Sequence, residues 1–118
     1  NPRVASLYSA FHPAVLSALQ HVVKQAQLES KPVSICGEMA GDPGAAVLLV
    51  AMGFDVLSMN AATLLKVKSV IRSVTHEAAL DLLEQVMHLD DAQMIRSAVD
   101  LALYNAGVDR LLRSSRAN

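Results

Sequence analysis

Apolar residues recur along this chain at one spacing, then another, and each change of spacing marks an element. From Pro13 onward, Val15, Leu16, Leu19, Val22, Val23 and Ala26 share one face at a period of about 3.6, which predicts a helix. The breaker cluster Ser30-Lys31-Pro32 ends it. Val33 to Cys36 then reads as a short buried strand, β-branched at Val33 and Ile35. Gly37 permits a sharp exit, and Gly41-Asp42-Pro43 reads as a loop ending in a helix start. Asp42 supplies the cap and Pro43 the fixed φ favoured at the first helical position. From Pro43 to about Met52 the chain is apolar nearly all round, as a fully buried helix is. Gly53 stops this helix, and Phe54 to Met59 reads as a second strand.

The remainder is helical. A helix from about Thr63 carries Leu64, Val67, Val70, Ile71 and Val74 on one face, with Lys66, Lys68 and Arg72 on the other. Thr75 caps the next, whose stripe is Leu80, Leu83, Val86 and Met87. Asp90-Asp91-Ala92-Gln93 resembles a capping box and opens a last helix with Met94, Ile95, Ala98, Val99, Ala102 and Leu103, ended by Gly107. Residues 1–10 form a lead-in with one helical turn over Arg3–Tyr8, and residues 108–118 are expected to form a flexible tail. Strand, helix and strand over Val33–Met59 make a tight βαβ unit, which requires parallel pairing and a right-handed crossover.

Composition narrows the picture. A chain of 118 residues is one compact unit, and 53% hydrophobic residues is ample for a core. A formal charge of −1 gives no electrostatic case for nucleic acid or an anionic membrane. The single cysteine excludes an intrachain disulfide framework and fits the reducing cytosol. No stretch reaches the roughly 18–20 apolar residues of a membrane span. With neither an initiator methionine nor a leader at Asn1-Pro2, the chain reads as a piece of something longer.

Chemistry concentrates at Cys36. A lone cysteine in apolar surroundings is ordinarily a small buried hydrophobe. This one lies at the carboxyl end of an expected strand, the end where parallel α/β folds bind ligands. Asp42 is best read as a helix cap, and Glu38 either orients the loop or has no role. His12, His21, His76 and His88 have no mutual spacing suggesting a metal site and are expected to be surface or cap residues. Arg110, Arg113 and Arg116 read as a solvated end.

The run Cys36-Gly37-Glu38-Met39-Ala40-Gly41-Asp42-Pro43, followed by Gly53-Phe54-Asp55-Val56-Leu57-Ser58-Met59-Asn60, resembles a known family. It is similar to the C-terminal end of the phosphoenolpyruvate-binding domain of the phosphoenolpyruvate–protein phosphotransferases, Enzyme I of the bacterial phosphotransferase system. The details resemble the nitrogen-regulatory paralogue most. The match runs from Asn1 to about Val74, with a weaker helical match beyond. The resemblance implies an α/β fold, the C-terminal fragment of a (β/α)₈ barrel with two short parallel strands and about five helices. A full barrel needs about 250 residues, so this chain supplies less than half of one.

In proteins that it resembles, the cysteine at this position is the general acid and base for the enolpyruvate carbon. Cys36 is then the catalytic residue, with Gly37 and Glu38 as its substrate-loop neighbours. An ordinary thiol, with a pKa of about 8.5, is protonated at neutral pH as that role requires. No Lys, Arg or His adjoins Cys36 in sequence to favour a thiolate, which argues against nucleophilic catalysis. The resemblance further implies phosphoenolpyruvate and pyruvate as ligands, a histidine-containing phosphocarrier protein as acceptor, a homodimer and a cytoplasmic enzyme. It also implies Mg2+, held by acidic ligands that lie upstream, as do the arginines that clamp the substrate. The chain alone is therefore expected to be inactive. Pyruvate phosphate dikinases and phosphoenolpyruvate synthases share a similar Cys-Gly-Glu element and use the same thiol chemistry, so they are the nearest enzyme alternative. A helical dimerisation module in which Cys36 is merely packed is the alternative of another class. In a barrel fragment the open strand edges and the interior sides of Ile35, Val56 or Leu57 lack partners and invite association.

Overall fold

Asp42 and Gly53 delimit the helix against which most of the chain packs. The computed structural model describes residues 3–4 and 9–108. Its elements are α1 (Pro13–Leu28), β1 (Ser34–Cys36), α2 (Glu38–Gly41), α3 (Pro43–Met52), β2 (Val56–Ser58), α4 (Ala61–Ser73), α5 (His76–Met87) and α6 (Ala92–Asn105). Eight of the ten residues of α3 are buried, as its all-round apolar sequence requires. It touches α2, α4, α5 and α6. Leu16 and Val23 of α1, Leu82 and Val86 of α5, and Ile95 and Val99 of α6 complete the core around it.

Both ends of α3 follow from local chemistry. The Asp42 carboxylate accepts from the backbone N–H groups of Gly44 at 2.9 Å and Ala45 at 3.1 Å, two of the donors that a helix start leaves unpaired. At the other end Gly53 is left-handed (φ 105°), its N–H reaches the Val50 carbonyl, and the Phe54 N–H reaches that of Leu49. This paired closure is the Schellman arrangement, with Phe54 buried beneath it.

β1 and β2 pair in parallel, with Ser34 opposite Val56, Ile35 opposite Leu57 and Cys36 opposite Ser58. Both strands are shorter than the sequence predicts. Phe54 is not in a strand because its N–H closes α3, and β2 ends at Ser58 because Asn60 already caps α4. Nor is either strand buried throughout. Ile35 and Leu57 pack on the helical core, whereas Ser34, Cys36, Val56 and Ser58 are exposed. Of the three side chains expected to lose barrel partners, only Val56 is on the open side.

Other boundaries shift for stated reasons. Residues 38–41, read as part of a loop, form the single turn α2. α4 begins at Ala61 rather than near Thr63, because Asn60 Oδ1 accepts from the Thr63 N–H at 3.1 Å. Asp91, not Asp90, caps α6, so the third position on is Met94 and no reciprocal side-chain bond of a capping box forms. Each helical stripe is covered on only part of its width: Val15, Val22, Leu64, Leu80 and Met94, all assigned to buried faces, are exposed. Val108, assigned to the flexible tail, is buried, since Gly107 (φ 77°) turns the chain back onto the core. The rest of that tail, and most of the turn expected over Arg3–Tyr8, lie outside the described residues.

Candidate active site

Cys36 ends β1 and is exposed. The alternation of a strand decides this: its neighbour Ile35 is committed to the core, so Cys36 projects on the opposite, uncovered side. The reading of Cys36 as a buried hydrophobe therefore does not hold for this chain. Gly37 follows at φ 109° and ψ −170°, a region of backbone space that is essentially glycine's alone. A Cβ there would meet nothing within 4 Å, so the requirement is backbone conformation and not space. Glu38 opens α2 and is exposed.

Together these residues wall an open hollow of about 820 Å³ at the carboxyl ends of the two strands. Its other side is formed by Ser58, Asn60, Thr63 and Lys66. Sequence reasoning missed these four. Ser58 follows from register, being the residue opposite Cys36. Asn60 and Thr63 were legible as the βα junction after the second strand, the same structural position that singled out Cys36. Lys66 was grouped with Lys68 and Arg72 on the polar side of its helix, yet it lies one turn beyond Thr63 and lines the hollow. The close approach of α2 to α4 puts it there: a Cβ on Gly41 would lie 3.3 Å from Thr63 Oγ1. Glu38 and Lys66 bring opposite charges to the hollow without forming an ion pair with each other.

Asp42 closes the segment that begins at Cys36. Beyond capping α3, its Oδ2 accepts from Arg96 Nη1 at 3.0 Å. Arg96 also lies 3.5 Å from Asp100 through Nε, and its guanidinium carbon sits 4.9 Å from the centroid of the Phe11 ring. The hydrogen bond to Asp42 holds the guanidinium pKa above its ordinary range, against the opposing effect of partial burial.

The histidines take the capping and surface places expected of them. His12 Nδ1 accepts from the Ala14 N–H at the start of α1, and His88 Nδ1 bonds the Glu84 carbonyl at the end of α5. His21 and His76 are exposed. Among the described residues, no group of three or more His, Cys, Asp or Glu side chains is placed to hold a metal ion. No helix among the described residues is long and apolar enough to cross a membrane.

Comparison with known proteins shows the family of the chain. Residues 1–76 match the family model of the PEP-utilising enzyme, PEP-binding domain. The chain is 40% identical over 99 residues to the phosphoenolpyruvate-protein phosphotransferase of Geobacillus stearothermophilus, covering 84% of this chain and 17% of that protein. It is 34% identical over 113 residues to a Salmonella typhimurium protein described as phosphoenolpyruvate-dependent phosphotransferase system, covering 96% of this chain and 15% of that protein. The phosphoenolpyruvate-protein phosphotransferase of Staphylococcus carnosus is 34% identical over 104 residues, 88% of this chain and 18% of that protein. The chain belongs to the family of PEP-binding domains of PEP-utilising enzymes. It spans less than a fifth of the length of these curated relatives.

Proposed function

We propose that this chain is the part of a phosphoenolpyruvate–protein phosphotransferase barrel that carries the proton donor for the enolate. The observation that carries the reading is the exposed thiol of Cys36 at the carboxyl end of β1, on the uncovered face of the sheet and over the hollow. One face packed on helices and the other open is what two neighbouring strands of a (β/α)₈ barrel would present.

In the reaction, the bond between phosphorus and the enol oxygen of phosphoenolpyruvate breaks as the phosphoryl group passes to a histidine outside this chain. The electron pair left on oxygen is delocalised to the methylene carbon. The Cys36 S–H bond breaks, its proton forms the new C–H bond, and pyruvate results. In reverse the thiolate removes a methyl proton. The phosphoryl group then continues to a histidine-containing phosphocarrier protein. The phosphotransferase names of the relatives favour this protein acceptor over the nucleotide of the dikinases. Magnesium, the arginine clamp and the phosphorylated histidine come from the rest of a cytoplasmic, homodimeric enzyme. We assign it to the nitrogen-regulatory branch, which the details of the sequence resemble most.

The test is Cys36→Ser in the intact phosphotransferase. Phosphoryl transfer from phosphoenolpyruvate should slow by about 10²-fold or more, the usual range for a general acid, while substrate binding is nearly unchanged. Equal loss of binding and rate would assign Cys36 to packing.

A further inference from the structure

We propose that Arg96 is a positioning residue for proton transfer at Cys36, acting through Asp42, which anchors the far end of the segment that presents the thiol. The inference rests on the reading of Cys36 as the proton donor.

The segment from Cys36 to Asp42 is fixed at its two ends, and between them Ala40 of α2 is buried and Gly41 lies close to Thr63. Its near end is fixed by strand pairing of Cys36 with Ser58. Between the ends stand Gly37, with the conformational range of glycine, and the single turn α2, too short to hold itself by helix propensity. The far end is Asp42, whose N–H closes α2 on the Met39 carbonyl at 3.2 Å. One Asp42 carboxylate oxygen is occupied by the first N–H groups of α3, and this alone leaves the carboxylate free to rock about its last bond. Arg96 occupies the second oxygen, which removes that freedom and ties the α2–α3 junction to α6.

Arg96 can do this because it is itself restrained. Phe11 lies under the guanidinium and is only 4% exposed, while Asp100 engages Nε from one turn along α6. Three segments far apart in sequence thus meet at one side chain. A partly exposed ion pair ordinarily adds little to stability. A misplaced reacting atom, by contrast, is costly to rate. Loss of Arg96 should therefore be felt in turnover more than in folding.

The experiment compares Arg96→Met, Arg96→Lys and Cys36→Ser in the intact phosphotransferase. Arg96→Met is expected to lower kcat by about tenfold, as a misplaced catalytic group does, with KM for phosphoenolpyruvate changed less than about twofold. Its solvent deuterium isotope effect on kcat should rise as proton delivery becomes slower. Arg96→Lys, which keeps a charged donor, should recover part of the loss. Asp42→Asn combined with Arg96→Met should be no slower than the worse single variant. A kcat for Arg96→Met within twofold of the parent would overturn the proposal, as would a rate loss tracking a fall in Tm with no change in isotope effect. Should Arg96→Met not fold, Arg96→Gln takes its place under the same criteria. If Cys36→Ser slows the enzyme and Arg96→Met does not, only the positioning role falls. If Cys36→Ser has no effect, the reading of Cys36 falls first.

Discussion

Asp55 and Val33 exchange two hydrogen bonds: the Val33 N–H donates to Asp55 Oδ2 at 2.7 Å, and the Asp55 N–H donates to the Val33 carbonyl at 2.9 Å. The two residues precede the two strands, and their exchange starts the ladder that sets Cys36 opposite Ser58. With only three residues per strand, a slip of one position would turn Cys36 toward the core and Ile35 outward. Asp55→Ala should destabilise the chain by about 1 kcal/mol, and Asp55→Asn by less because an acceptor remains. Urea unfolding checks this through the midpoint, at constant slope.

The exposure of Cys36 is open to a direct chemical measurement. Under native conditions a soluble disulfide reagent should titrate one thiol per chain, at a rate close to that in denaturant. Reaction only on unfolding would mean that the side chain is covered and would remove the basis for its proposed role.

Gly44 lies where α3 crosses α6, and a Cβ there would come within 2.6 Å of Val99 Cγ1. Gly44→Ala should cost about 1–3 kcal/mol through overpacking. Combining it with Val99→Ala should recover a part, giving a coupling that a double-mutant cycle resolves. Strict additivity would show that the two helices do not meet at this point.

Gly37 makes a contrasting case. With open space around its absent Cβ, Gly37→Ala should suffer only the backbone penalty, on the order of 1–3 kcal/mol, paid locally at α2. D-alanine introduced by semisynthesis accepts positive φ and should be tolerated. If both alanines proved equally harmful, steric crowding and not φ would be the cause.

Association of the isolated chain should follow from its uncovered apolar residues. Val56 on the open face of the sheet is 54% exposed and Leu65 on α4 is 77% exposed. Burying a few hundred Å² at roughly 25 cal/mol per Å² favours association by several kcal/mol before its entropic cost. Light scattering at micromolar concentration should therefore report a mass of about twice that of the chain or more. Calorimetry with phosphoenolpyruvate and magnesium should register no saturable binding. A stable monomer, or binding in the sub-millimolar range, would contradict these expectations.

The sequence was most legible where one local rule decides the structure. Asp42-Pro43 and Gly53 bracket α3 because capping and positive φ depend on a few neighbouring atoms. The all-round apolar run between them admits no orientation other than burial. Legibility failed where two rules competed for one residue: Phe54 suits a strand, but its N–H is taken by the end of α3. It failed again at helix faces, where Leu64 and Met94 obey the 3.6-residue period yet are left exposed, with none of the described elements covering that part of the stripe. At the site, Cys36 was singled out by its place at an expected strand end together with the family resemblance of the Cys36–Pro43 run. Lys66 and Arg96 were not, since each is brought there by packing between helices that no local pattern records.

The single-residue alternation along β1 and β2 has an evolutionary consequence. Ile35 and Leu57 hold the sheet to the helices, while Ser34, Cys36, Val56 and Ser58, interleaved with them, bear no such duty. Substitutions at the second set change what the strand ends offer a ligand and leave the scaffold intact, whereas substitutions at the first do the reverse. A lineage could therefore retune its reaction along these strands without refolding, and a library randomised at Ser34, Val56 and Ser58 would sample chemistries on an unchanged frame.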